Sequence, residues 1–233
     1  MNALVLPYLC LISIAPADGP FVPGITFAES EGLFAPVREL ASAMDWVVEY
    51  EPETKEVRLQ GVPLDDQHTR RLLSGETLVR VEEVNVPGAR VTPLEEGARV
   101  EWGALRAVVK PGEKRVEINL TTQSLIAYQG ERVLLETPIS SGRRGYSTPT
   151  GSFTAGPAKY RMHYSTLYDN SPMPWSIQVT GHIFIHGYHS VPPRPASHGC
   201  IRVPLKDGNP AKWLFEWIEI GTPIRIFYED SDA

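Results

Sequence analysis

Cysteine is nearly absent from this chain. Of 233 residues only Cys10 and Cys200 carry a thiol, so the disulfide framework that staples many small secreted domains is excluded. Long apolar runs are missing too. The one candidate, Ala3 to Ala15, is uncharged and nearly all apolar, but it is shorter than the roughly 20 residues that span a bilayer. Histidine is sparse where a metal site would need it, since His68 stands alone before His163. Neither sign of charge dominates. Lys and Arg number 22 against 28 Asp and Glu, and no basic stripe of the kind that binds nucleic acid is present. What remains is an ordinary globular composition, 42% hydrophobic and 21% charged, enough apolar material for one large core or two small ones.

The charge is unevenly spread. Residues 18–113 hold 10 Lys and Arg against 18 Asp and Glu, a net of −8, and residues 114–233 hold 12 against 10, a net of +2. A faintly basic second half suits a substrate bearing carboxylates. At the start, Ala3 to Ala15 followed by Ala15-Pro16-Ala17 reads as an export signal with a small-x-small cleavage site, giving residues 1–17 as signal and Asp18 as the first mature residue. No Lys or Arg precedes the apolar run, so an uncleaved anchor and a plain buried segment stay open as alternatives. Tyr8-Leu9 before Cys10 lacks the small residues of a lipoprotein site. Cleavage leaves Cys200 as a lone thiol in a protein expected in the periplasm or cell wall. Such a thiol is either an intermolecular bridge or a reactive group.

Two textures divide the rest. A helical pattern opens in Gly32 to Ala41, with Val37, Leu40, Ala41 and Met44 at helical spacing. Trp46 to Tyr50 then alternates, Pro52 to Lys55 turns, and Val57 to Leu59 returns, which makes a helix followed by a hairpin. A fainter copy starts near Gly75: Leu78 to Glu83 parallels Phe34 to Glu39, and Arg99 to Trp102 parallels the strand after the first helix. A spacing of about 43 residues is that of a degenerate tandem repeat. Lys110 to Glu113 reads as a linker. Beyond it Val116 to Leu120 alternates, Leu125 to Tyr128 and Val133 to Leu135 flank a hairpin turn, Ser140 to Gly151 is a loop, Trp175 to Val179 and Ile183 to His186 are strands, Ala211 to Trp217 is a helix, and Pro223 to Tyr228 is a closing strand. The expected fold is two-part: a small α+β repeat module over residues 18–110, then a mostly β catalytic domain with a short helix over residues 111–233.

The chemistry gathers in Gly181-His182-Ile183-Phe184-Ile185-His186-Gly187-Tyr188 and Ser197-His198-Gly199-Cys200-Ile201-Arg202. Acyl transfer from an amide needs a nucleophile, a base and donors for the oxyanion. A free thiol ionises only near pH 8.5, and a neighbouring imidazole is the usual remedy. His186 ends a strand, and Gly199 lets backbone N–H groups turn toward a developing oxyanion. A metal site is the sharpest rival, because His182, His186, His189, His198 and Cys200 cluster. On a strand, however, His182 and His186 stand about 13 Å apart at ~3.3 Å per residue, too far to share one ion. Other readings stay open: a buried structural thiol for Cys200, a core role for His186, and for His198 either catalytic help or support of the Cys loop. Arg143 and Arg144 either meet a substrate carboxylate or lie in a solvated loop.

Taken together, residues 114–228 resemble the L,D-transpeptidase catalytic domain (YkuD-like) through "INLTTQSLIAY", "PISSGRRGYSTPTGSF", "PMPWS", "IFIHGY", "RPASHGCIRV" and "AKWLFEWIEIGTPI". The resemblance implies Cys200 as nucleophile, His186 as general base and acid, the Gly187 carbonyl orienting His186, and an oxyanion hole from backbone N–H groups of His198, Gly199 and Cys200. It nominates Arg202, Tyr188, Trp175 and Ser197 as substrate-binding. Tyr188 departs from the Thr or Ser of many relatives, and the loop from His189 to Pro195 is short and Pro-rich. Implied further are a monomer that needs no cofactor and no metal, peptidoglycan stem peptides as substrate, and carbapenem-type β-lactams as covalent inhibitors. The expected reaction cleaves the terminal D-alanine of a tetrapeptide stem through a Cys thioester and crosslinks the acyl group to another stem. Hydrolysis of that thioester (an L,D-carboxypeptidase) and an inert wall-binding protein are the alternatives. Residues 25–60 resemble the copper amine oxidase N-terminal module, with its "PVRELA" and alternating "WVVEYEPETKEV". The resemblance does not carry copper with it, since one His cannot hold the ion. On this reading the first half binds or spaces, and a chain beginning near Lys110 keeps its acylation chemistry.

Overall fold

The structure is a computed structural model that describes residues 19–229. The segment read as an export signal, with Cys10, lies outside the described residues. The described chain is mostly β with two helices, α1 (Val37–Ala43) and α2 (Pro210–Trp217).

The first half builds a seven-stranded sheet. Its order is Thr69–Arg71, Thr77–Arg80, Ser30–Pro36, Phe21–Phe27, Leu105–Pro111, Ala98–Trp102 and Ala89–Pro93. The central pair, Phe21–Phe27 and Leu105–Pro111, is parallel, with Phe21 opposite Val108. The hairpin Val48–Glu51 and Glu56–Leu59 continues into Val62–Pro63 as a separate three-stranded sheet. The helical pattern starting at Gly32 is shorter than its spacing suggested. Ser30–Pro36 is a strand, and α1 begins only at Val37. Pro36 is the reason: it biases Ala35 to extended backbone, and it holds φ −59° and ψ 123° itself. In the fainter copy the helix shrinks to a 3-10 turn, Val81–Glu83, because Val81 and Val84 are β-branched and Pro87 follows. The strand directly after that turn is Ala89–Pro93, and Ala98–Trp102 is its hairpin partner.

The second half has a five-stranded sheet ordered Arg132–Pro138, Ser124–Gln129, Lys114–Asn119, Pro223–Phe227 and Gly151–Thr154, and a four-stranded sheet ordered Lys159–Tyr164, Pro172–Thr180, Ile183–Tyr188 and Ile201–Pro204. Helix α2 forms where expected. The Asn209 side chain caps it by accepting the Lys212 N–H at 3.0 Å, and Pro210 sits in its first turn, where no N–H is missed. Its Ala211, Trp213, Leu214, Phe215 and Trp217 are buried.

The linker is shorter than the sequence implied. One strand runs to Pro111 and the next begins at Lys114. The halves also share a core. Ile25, Phe27, Phe34, Leu72 and Leu78 pack in the same apolar cluster as Trp213 and Trp217, while a second cluster around Leu40, Met44 and Leu59 stays within the first half. Phe27 meets Phe34 edge-on at 5.7 Å and Trp213 at 6.0 Å. Gln129 of the second half accepts N–H groups from Thr26 and from the Trp217 indole, both at 3.2 Å. Arg132 is paired to both Glu39 and Glu76.

Phe27→Ala is therefore expected to cost about 3–5 kcal/mol, the usual range for a buried aromatic, and to lower the stability of the second half along with the first. A chain beginning near Lys110 uncovers the Trp213 face and should melt far below the full chain by circular dichroism. Melting within a few degrees of the full chain would show that the shared core contributes little.

Candidate active site

The cleft is set by a pair of parallel strands. Ile185 lies opposite Ile201, His186 opposite Arg202 and Gly187 opposite Val203. Side chains alternate along a strand, and paired residues share a face. Ile185, Ile201 and Val203 enter the core. Phe184, His186 and Arg202 must then point the other way, together with Cys200, one residue before the second strand. All four line one cleft of about 190 Å³, with His163, Leu167, Tyr168 and His182 among its other walls. Gly187 is required by close packing, since a Cβ there would stand 2.4 Å from Leu205 Cδ2 and 3.2 Å from Ala211 Cβ at the start of α2.

The turn carrying Cys200 is braced from several sides. Ser197 is buried; its hydroxyl donates to the Cys200 carbonyl at 2.5 Å and accepts the Gly199 N–H at 3.1 Å. Gly199 has φ +112°, and a Cβ there would lie 2.8 Å from Ile183 Cδ1, so only glycine fits without strain. The Thr148 hydroxyl donates to the Gly199 carbonyl at 2.7 Å and accepts the Gly142 N–H at 2.9 Å. The Thr-Pro-Thr-Gly stretch, to which the sequence alone assigned no role of its own, thus pins the Cys200 turn through Thr148. Ser197, nominated for substrate, serves the same turn. Of the three N–H groups expected in an oxyanion hole, that of Gly199 is engaged by Ser197, which leaves His198 and Cys200.

His186 is 5% exposed, and its Nδ1 donates to the Gly187 carbonyl at 3.0 Å. The donation fixes the tautomer, so Nε2 keeps its lone pair for accepting a proton. Burial pushes the imidazole down to about 4; the Gly187 hydrogen bond opposes this, and the charges of Arg202 and His163 add to it. Burial pushes the Cys200 thiol up, against a backbone hydrogen bond from Phe184 and the positive Arg202. The thiol donates to the His182 carbonyl at 3.5 Å. Thiol and imidazole are therefore both neutral at rest, so the neighbouring imidazole does not remedy the thiol's weak ionisation in the resting site. Desolvation penalises both ions of the pair and outweighs the base's help.

His198 accepts from Arg143 Nη2 at 2.6 Å through Nε2, because a guanidinium has only donors. It lies against Tyr168 at 4.4 Å and Tyr146 at 4.7 Å. This arrangement ties His198 and Arg143 to the cleft rim. Tyr188 lines the cleft and stacks under the Arg202 guanidinium at 4.1 Å. Trp175 does not reach the cleft. It packs on Phe215 at 5.6 Å with Lys212 above it at 5.8 Å, against the helix side of the sheet. Its backbone φ of +57° turns the residue out of the regular strand, and the substrate-binding role that the resemblance implied for it finds no place in the cleft lining. The turn from Ser165 to Ser171, with His163 stacked on Phe184 at 5.1 Å, forms a wall of the cleft. Sequence pattern gave little sign of that wall, whose only signal is the aromatic and apolar content of Tyr164, Leu167 and Tyr168 in a polar stretch.

Residues 113–226 match the family model described as the L,D-transpeptidase catalytic domain, YkuD. No curated protein matches the chain. Among solved structures, an L,D-transpeptidase from Xylanimonas cellulosilytica is 32% identical over 50% of this chain and 61% of that one, with a TM-score of 0.45. One from Stackebrandtia nassauensis is 20% identical over 66% of this chain and 65% of that one, also at 0.45. The LD transpeptidase LdtMt1, solved in complex with imipenem, is 17% identical over 89% of this chain and 100% of that one, again at 0.45. The chain thus spans less than two thirds of the first two.

A buried neutral His186 makes stability depend on pH. Its folded value of about 4 lies below the ordinary imidazole value of 6.5, so the unfolded state binds the proton more readily between them. The contribution is fully present above about pH 6.5 and is lost as pH falls through 4, up to about 3 kcal/mol. Urea unfolding of the wild type and His186→Gln should show their stability difference shrinking by that order between pH 7 and 4. A pH-independent difference would mean that His186 is not held neutral.

Proposed function

We propose that the cleft performs cysteine-dependent acyl transfer on peptidoglycan, as an L,D-transpeptidase that crosslinks stem peptides. One observation carries the reading: the parallel register sets Cys200 and His186 on one face of one cleft, within a segment that matches the L,D-transpeptidase catalytic domain. The Cys200 sulfur attacks the carbonyl of the third residue of a tetrapeptide stem while its proton passes to His186 Nε2. Backbone N–H groups of His198 and Cys200 receive the oxyanion. The tetrahedral intermediate collapses, the C–N bond breaks, and His186 returns the proton to the departing D-alanine amine. An amine of a neighbouring stem then attacks the thioester, its proton leaves through His186, and the thiol is restored with a 3→3 crosslink formed. No cofactor enters. Because thiol and imidazole start neutral, His186 acts in step with the attack rather than before it. A cleft of about 190 Å³ is small beside the 300–1,000 Å³ typical of ligand pockets, so only the scissile end of the stem enters it. We place the protein outside the cytoplasm, in the periplasm or cell wall, where its substrate lies. The first half acts there as a binding or spacing module fused to the catalytic core. A carbapenem of the imipenem type is expected to acylate Cys200.

The test is incubation with defined muropeptides and analysis of products and protein by intact mass. Wild type should give a Cys200 acyl adduct and crosslinked dimers. Acylation should be flat above about pH 5 and fall as pH drops through 4, where His186 gains its proton. Cys200→Ala should reduce turnover below about a thousandth of wild type, and more residual activity would point to another nucleophile. Shortened stems without dimers would assign hydrolysis instead of crosslinking.

A further inference from the structure

Crosslinking makes a demand that Cys200 and His186 do not meet. The acceptor is an amine of another stem, and an alkyl amine is an ammonium at neutral pH, with an ordinary value of about 10.4. An ammonium has no lone pair, so it must lose a proton before it attacks the thioester. His186, pushed down to about 4, is a weak base for that proton. Nor does the cleft supply a carboxylate, because no Asp or Glu lines it. It does supply three further imidazoles, those of His163, His182 and His198.

These three are not equivalent. His198 Nε2 already accepts from Arg143 at 2.6 Å. His182 is exposed, and no aromatic ring holds it among the described residues. His163 is half-buried, and two rings stack on it: Tyr160 at 5.2 Å and 20°, and Phe184 at 5.1 Å and 29°. Stacking fixes the plane of the imidazole, and neither of its nitrogens meets a hydrogen-bond partner among the described residues. Phe184 stands two residues before His186 on the cleft face, about 7 Å along the strand, and its backbone bonds the Cys200 sulfur. His163 therefore sits in the cleft wall against the residue that flanks the thiol. Arg202 works in the same direction. A positive charge with no carboxylate in the lining disfavours an ammonium and eases the loss of its proton.

We propose that His163 is a further catalytic residue, the base that takes the first proton from the acceptor ammonium. The proposal rests on the acyl-transfer reading above. The ammonium N–H breaks and an N–H forms on His163. The neutral amine attacks the thioester carbonyl, its second proton goes to His186, the C–S bond breaks, and the sulfur takes that proton back. His163 then releases its proton to solvent. The titratable and charged groups around it are Tyr160 on its own strand, Tyr168 in the adjoining turn, and His182, His186, His198, Cys200 and Arg202 in the rest of the lining.

The experiment uses the full chain with an acyl-enzyme formed from a donor tetrapeptide. Two acceptors then compete for it: the alkyl amine of Nα-acetyl-lysine amide, charged at neutral pH, and hydroxylamine, which is neutral there. Product masses give the ratio of alkyl amine to hydroxylamine transfer, in which any effect on acylation cancels. His163→Phe keeps a ring in the stack and removes the base. It should lower the ratio roughly 10- to 100-fold at neutral pH, the lower range of general base catalysis. At about pH 10, where much of the alkyl amine is neutral on its own, the ratio should return to within about threefold of wild type. His163→Gln should show the same loss and the same rescue. An unchanged ratio in His163→Phe would overturn the proposal. A loss confined to His163→Gln would assign the effect to packing of the ring and overturn it as well, and so would a loss seen in His182→Phe instead. A wild-type acyl-enzyme that only hydrolyses overturns this proposal alone. A wild type that forms no acyl-enzyme, while Cys200 still alkylates, overturns the acyl-transfer reading and this one together.

Discussion

The register between Ile183–Tyr188 and Ile201–Pro204 is the constraint on which the rest of the cleft depends. Two parallel strands with Ile185 opposite Ile201 leave one way to bury the apolar residues, and this sends His186, Arg202 and Cys200 together to the other face. A slip of one residue would turn His186 and Arg202 into the core and the isoleucines into the cleft. The surroundings hold that register. Ser140 grips the Arg202 backbone on both sides, Ser197 and Thr148 fasten the turn at Gly199, and Leu205 and Ala211 fill the space beside Gly187.

The same packing that fixes the geometry sets the protonation states. Excluding water from His186 and Cys200 penalises the imidazolium and the thiolate alike. Arg202 favours the thiolate and disfavours the imidazolium, so its charge cannot produce an ion pair by itself. A neutral thiol and a neutral imidazole lining one cleft are the result. The absence of acidic side chains from the lining keeps Arg202 available, and the cleft presents one positive point to an incoming substrate.

The first half is more than an appendage to this arrangement. Phe27, lying between Phe34 and Trp213, joins its sheet to the buried face of α2, and α2 in turn packs behind the strand that carries His186. The Arg132 pairing with Glu39 and Glu76 and the Glu29 pairing with Lys159 and Arg161 add polar ties across the same junction. The most exposed of these contribute little singly. The shared apolar core holds the halves together more strongly than these ion pairs do, because its stabilisation scales with the area removed from water.

Much of the second half was legible in the chain itself, because alternation and turn residues act locally. The hairpin around Gly130 and helix α2 follow from spacing alone; the strand read as ending at His186 runs on to Tyr188, so His186 lies within it, and residue type and motif single out Cys200 and His186. Local pattern had no means of showing that Phe21–Phe27 pairs in parallel with Leu105–Pro111, since that contact joins residues far apart in sequence. Nor could it show that Trp175 turns to the helix side, that Thr148 and Ser197 serve the Cys turn, or that the halves share a core. Whether the thiol is ionised was beyond the sequence for the same reason. A pKa is set by how much water and which charges surround a group in three dimensions, and those neighbours come from every part of the chain. Residue type and motif nominate Cys200 and His186, while packing sets the face they share, their partners and their protons.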